Sequence, residues 1–79
     1  MEIYANKIPA EMVEDVKTVV NRVSKNRLRA DRKDVEYLFK IYHEYLAPYD
    51  KQSIGCRACR AKVCGIFFQI LNVWNKKTN

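Results

Sequence analysis

The stretch Asp31-Arg32-Lys33-Asp34-Val35-Glu36-Tyr37-Leu38-Phe39-Lys40-Ile41-Tyr42-His43-Glu44-Tyr45-Leu46-Ala47-Pro48 carries both ends of a helix as well as its buried face. Asp31 offers a carboxylate to the amide of Asp34, three residues on, as an N-cap does. Pro48 pushes Ala47 out of helical geometry. Between these signals Val35, Leu38, Phe39, Tyr42 and Leu46 fall on one side of a 3.6-residue period. The stretch therefore predicts a helix over 32–46, with an apolar stripe that other elements must cover.

Working outward, residues 9–24 place Met12, Val13, Val16, Val19, Val20 and Val23 at offsets of three and four, with Glu11, Glu14, Asp15, Lys17 and Asn21 opposite. Pro9 suits a first helical position, and the early acids match the positive end of the helix dipole. Valine is a mediocre helix former, so this helix depends on tertiary packing. On the other side, Ser53 is a candidate cap for a helix over 54–75, with Cys56, Cys59, Val63, Phe67, Ile70 and Trp74 along one face and Ile66 and Val73 widening it. The longest candidate for a period-two strand is Met1 to Lys7. The expected class is all-α, a compact three-helix bundle with short polar connectors, forming one domain over 1–79.

With 79 residues, 48% of them apolar and 30% charged, the chain has room for one core. A chain this short buries only about 60% of its unfolded surface, so a deep substrate cleft competes with the core itself. No apolar run approaches the roughly 20 residues that span a bilayer, and the first ten residues lack the apolar stretch of a secretory signal. These features lead to the expectation of a cytoplasmic protein with no membrane partner. Three cysteines between Cys56 and Cys64 do not make the spaced framework of a secreted mini-protein, so reduced thiols are expected.

The net charge of +6 is unevenly spread: −2 over residues 1–21, +5 over 22–33, −3 over 34–50 and +6 over 51–79. Arg22, Lys25, Arg27, Arg29, Arg32 and Lys33 gather at the junction of the first two helices, and Arg57, Arg60 and Lys62 at the start of the third. Cations are favoured at helix C-termini, so arginines and lysines at helix starts oppose the dipole and are not explained by local stability. A phosphate would explain them, held by these side chains and by the amides of Ser53, Ile54, Gly55 and Cys56. The leading expectation is thus nucleic-acid phosphate binding, set against the plainer reading of a solvated basic surface. Reading of base sequence is not expected, because the break between the first two helices is too long for a helix-turn-helix corner.

Tyr37, Ile41 and Tyr45 draw a second stripe on the middle helix, where rings could stack on bases or on a protein; their plainer reading is partial burial with hydroxyls in water. Tyr37, Tyr45, Phe68, Leu71 and Trp74 are the candidate anchors for an acidic protein partner. His43, Cys56, Cys59 and Cys64 are one possible set of zinc ligands. Against it, cysteines on the apolar stripe of a helix fit small buried side chains, and Cys64 points about 80–100° away from the other two. A redox C-x-x-C needs its first cysteine exposed at a helix N-terminus, and the β-α-β surroundings of that motif are missing. No phosphate loop, paired-carboxylate signature or nucleophile elbow is present, so no enzymatic activity is expected.

Leu38, Tyr42, Tyr45 and the run Ser53-Ile54-Gly55-Cys56-Arg57-Ala58-Cys59-Arg60-Ala61-Lys62-Val63 resemble small uncharacterised proteins of bacteriophages and mobile elements. The likeness covers the C-terminal half: a tyrosine-bearing helix, a polar connector, then a C-x-x-C-R element opening an amphipathic helix. It implies a phage or mobile-element context, with nucleic acid, a virion or an inhibited host enzyme as partner.

Overall fold

Four valines on one face of residues 13–25, Val16, Val19, Val20 and Val23, are all buried, which is what the three-and-four spacing requires. They belong to the second of four helices. A computed structural model of the chain describes residues 2–26 and 30–77, and among these the elements are α1 (Glu2–Lys7), a 3₁₀ turn (Ala10–Met12), α2 (Val13–Lys25), α3 (Arg32–Ile41), a π-helical turn (Tyr42–Leu46) and α4 (Arg57–Lys77). No strand occurs among the described residues. The chain is all-α, and α2, α3 and α4 pack against one another as a three-helix bundle around Val16, Val20, Leu38, Ile41, Val63, Phe67 and Ile70, each with 0% of its surface exposed. No helix among the described residues is long and apolar enough to cross a membrane.

Local signals explain the boundaries. Pro9 precedes the 3₁₀ turn and accepts from the Met12 amide (2.9 Å) instead of occupying a first α-helical position, so α2 begins four residues later than the sequence suggests. Asp31 caps α3, with its carboxylate accepting from the Lys33 amide (2.9 Å) and its carbonyl taking the Asp34 amide (3.0 Å). Pro48 stops the middle helix as expected, with Ala47 at φ −146° and ψ 74°. The last turn before it widens to π geometry, closed by the Ala47 amide on the Tyr42 carbonyl (2.8 Å), which keeps both Tyr42 and Leu46 in the core.

Two expectations are corrected. Residues 2–7 are helical, and α1 lies against α4 and the π turn, with Ala5 buried within it and Ile8 buried just past its end. Ile41, grouped by spacing with Tyr37 and Tyr45, is fully buried, because α3 packs against both α2 and α4 and so buries more than a single stripe.

Candidate anion-binding groove

The groove begins with the way α2 and α3 are joined. Arg22, near the end of α2, makes a two-pronged pair with Asp34 in the first turn of α3: Nε to Oδ2 at 3.0 Å and Nη2 to Oδ1 at 2.8 Å. The hydrogen bonds from Arg22 hold the Asp34 carboxyl below its ordinary pKa. Arg22 is therefore committed to its own chain.

The second wall comes from the connector into α4. Asp50 fixes it by accepting from the Tyr42 hydroxyl, from Gln52 Nε2 (2.8 Å) and from Lys62 Nζ (3.1 Å). Those three donors, the tyrosine foremost, bring the Asp50 carboxyl down to about 2. Burial, reinforced by Asp50, pushes the Tyr42 phenol up. Ser53 then closes a tight turn, its carbonyl accepting from the Cys56 amide (3.1 Å) and its hydroxyl from the Gly55 amide (3.3 Å). So α4 begins at Arg57, not at residue 54, and the residue at its cap is Cys56, whose sulfur accepts from the Cys59 amide (3.3 Å).

Between these walls lies a groove of about 870 Å³. Val23, Val35, Ile54 and Phe68 give it an apolar lining, and Arg32, Arg57 and Arg60 line it as well; among the described residues no acidic side chain does. Arg32 belongs to the first basic cluster and Arg57 and Arg60 to the second, so the two clusters meet here. Arg32 Nε pairs with Glu36 (2.9 Å), Arg60 Nη1 donates to the Ile54 carbonyl (2.8 Å), and Arg57 has no ion-pair partner among the described residues. Two of the three guanidinium groups thus have no acid matched to them.

The remaining predicted cations go elsewhere. Lys62 is tied to Asp50 and, with Lys7, lines a separate shallow depression near Tyr49. Lys25 and Lys33 are exposed and line neither depression. Arg27 and Arg29 lie outside the described residues. The expected phosphate seat on the Ser53–Cys56 amides is corrected, because the Gly55 and Cys56 amides are spent on Ser53 and the Cys56 sulfur takes the place of a capping anion.

Among the anchor candidates, Phe68 is half-buried in the groove wall, and Tyr37 and Tyr45 are half-buried against the core. Leu71 and Trp74 keep only 9% and 8% of their surface exposed, so as anchors they are corrected to core residues; Trp74 shares the buried face of Val63, Phe67 and Ile70, and Leu71 lies next to it on α4. Of the possible zinc ligands, no three His, Cys, Asp or Glu side chains among the described residues lie together as metal ligands. His43 packs against the rings of Phe39 and Tyr42, with its Nε2 buried and unpartnered, while Cys64 faces the groove. Burial raises the Cys64 thiol pKa.

Sequence reasoning overlooked Val23, Val35 and Ile54 as groove residues and Asp50 as the residue that fixes the connector. Ile54 had one available signal, an isolated large aliphatic residue inside a polar connector. No protein-family model matches this chain, and neither does any curated protein or solved structure.

Proposed function

We propose that this protein is a small, non-enzymatic basic module that binds nucleic-acid phosphates in the groove between the α2–α3 junction and the start of α4. In this reading it is a phage or mobile-element protein, as the likeness of its C-terminal half implies, acting in the host cytoplasm or in a virion. The observation that carries the reading is that Arg32, Arg57 and Arg60, drawn from two separate basic segments, line one groove that no acidic side chain among the described residues lines. Arginines at such a cluster neutralise phosphates and release the counterions condensed on the nucleic acid, giving salt-sensitive affinity without sequence preference. The apolar lining suits a single strand, whose unstacked bases can lie on Phe68 and Ile54 while the backbone follows the arginines.

A second reading has one observation in its favour. The lining from Val23, Val35, Ile54 and Phe68 is more than phosphates alone need, and an acidic peptide with apolar side chains, from a virion protein or a host enzyme, would use both parts of the groove. Titration of the whole protein against labelled single-stranded DNA, single-stranded RNA and duplex DNA between about 50 and 200 mM salt separates the two. The nucleic-acid reading expects binding to a single strand with log K falling by about 2 per decade of salt, three neutralised phosphates each contributing about 0.7. Absence of binding at low salt, or binding indifferent to salt, ends that reading. A protein partner that stays bound after nuclease treatment supports the other.

A further inference from the structure

The first turn of α4 holds two of the three cysteines in one another's reach. Cys56 is the residue before the helix and Cys59 the third residue within it. The Cys59 amide nitrogen lies 3.3 Å from the Cys56 sulfur, and three bonds separate that nitrogen from the sulfur of Cys59 itself. Residues three apart on a regular helical turn have β-carbons about 5–6 Å apart, more than the roughly 3.5–4.5 Å of a disulfide, so closing this pair draws the first turn of α4 tighter at its non-helical cap residue. Both residues are half-buried, so neither sulfur is sealed in the core.

The surroundings distinguish the two sulfurs of this pair from the third. Hydrogen bonds from the Cys59 thiol and then the Cys59 amide, helped by the Ala58 amide and by the charge of Arg60, favour the thiolate of Cys56. A thiolate at a helix N-terminus beside an arginine is the nucleophilic partner of a C-x-x-C pair. Cys64 is in the opposite situation, half-buried further along α4 and kept protonated by its burial. The correction of the helix start matters here: with α4 beginning at residue 54 both cysteines would be interior helix residues, and Cys56 would lose its cap position.

We propose that Cys56 and Cys59 are a redox dithiol, oxidised by a low-molecular-weight disulfide of the glutathione class to an intramolecular disulfide across the first turn of α4. The Cys56 thiolate attacks one sulfur of glutathione disulfide, forming a mixed disulfide and expelling one glutathione thiolate. Cys59, giving up its proton to solvent, then attacks the Cys56 sulfur and expels the second glutathione thiolate. Both departing thiolates take up protons, so two protein thiols are oxidised to one disulfide while one glutathione disulfide is reduced to two glutathione molecules. The change is stoichiometric, one disulfide per chain, and it is independent of what the groove binds.

The test equilibrates the reduced whole protein with glutathione and glutathione disulfide mixtures, quenches with acid, and counts free thiols by maleimide alkylation and intact mass. The expected outcome is loss of two of the three alkylatable thiols with no glutathione retained, and the same behaviour from Cys64→Ser. Cys59→Ser is expected to accumulate glutathione on Cys56, and Cys56→Ser to react about tenfold more slowly, in keeping with the thiolate advantage. Serine can cap a helix in place of Cys56, and circular dichroism checks that both variants keep their fold. Three thiols still alkylatable at every ratio in folded protein, a disulfide that includes Cys64, or equal rates for Cys56→Ser and Cys59→Ser would each overturn the assignment.

Discussion

Arg22 and Asp34 are joined through two parallel hydrogen bonds, 3.0 and 2.8 Å long, that fasten the end of α2 to the start of α3. The segment between those helices contributes two more arginines, so this pair sets where that segment leaves and returns. Arg22→Ala is expected to lower the thermal midpoint by a few degrees, and Arg22→Lys, which keeps charge but loses the fork, to recover only part of it. The sign with pH follows from Asp34. Its folded pKa is depressed, so its contribution is present above the ordinary carboxylate range and disappears as pH falls through the folded value. Thermal melts in acid should therefore converge for the wild type and Arg22→Ala.

Asp50 gives a sharper pH window. Its carboxyl is near 2 in the folded chain, against an ordinary 3.8, so the stability it adds is complete above about pH 4 and is lost as pH falls toward 2. Asp50→Asn should show a shallower fall of stability across that interval, measured by urea unfolding at successive pH values. A wild-type curve parallel to that of the variant would contradict the Tyr42–Asp50–Lys62 arrangement.

The cap at Asp31 is a separate measurement. Its carboxylate accepts from the Lys33 amide, so Asp31→Ala should cost about 1 kcal/mol while Asp31→Asn and Asp31→Ser stay within a few tenths of the wild type. Chemical denaturation of the three variants checks the order.

Gly65 lies inside α4 and lines the groove, and a β-carbon added there would meet nothing within 4 Å. Gly65→Ala should therefore raise stability by roughly 0.5–1 kcal/mol, the intrinsic advantage of alanine over glycine in a helix. Gly65→Leu should fill part of the groove and weaken ligand binding while the fold persists. Denaturation and the binding titration, run on the same samples, read the two effects separately.

Arg57 is the cleanest charge to remove, since among the described residues it has no ion-pair partner to leave stranded. Arg57→Ala should reduce the salt slope of single-strand binding by about 0.7, with thermal stability unchanged. Arg60→Ala should weaken binding as well, but with some loss of stability through its bond to the Ile54 carbonyl. Lys40→Ala, on an exposed residue that does not line the groove, serves as the comparison and should leave the slope alone.

The sequence made three helices legible because their signals are local and redundant: periodic valines in α2, an aspartate cap and a proline stop around the middle helix, a long apolar face in α4. What it concealed depended on three dimensions. Residues 2–7 carry too few apolar positions to show a period, and they fold as a helix because α4 offers Ala5 and Ile8 a surface. Ser53 has the chemistry of a cap but spends it on a turn, which moves the start of α4 to Arg57 and hands the cap to a cysteine. Trp74 stood on the core stripe of α4 in the sequence, whereas Leu71 beside that stripe could not be told from an exposed anchor without knowing how widely α4 is covered. The meeting of Arg32 with Arg57 and Arg60 likewise depends on the hand of the bundle, which no residue pattern along the chain encodes.

Asp50 sits outside the groove, yet Ile54 and Arg57 stand where they do because the connector is pinned at its midpoint by this one carboxylate. The entropy of arranging that wall is lost during folding rather than at the moment of encounter, so a guest meets a surface already in its final shape. Loosening the pin at Asp50 would then slow the approach of a ligand that never touches it, and an affinity defect at so remote a position would mark preorganisation rather than contact.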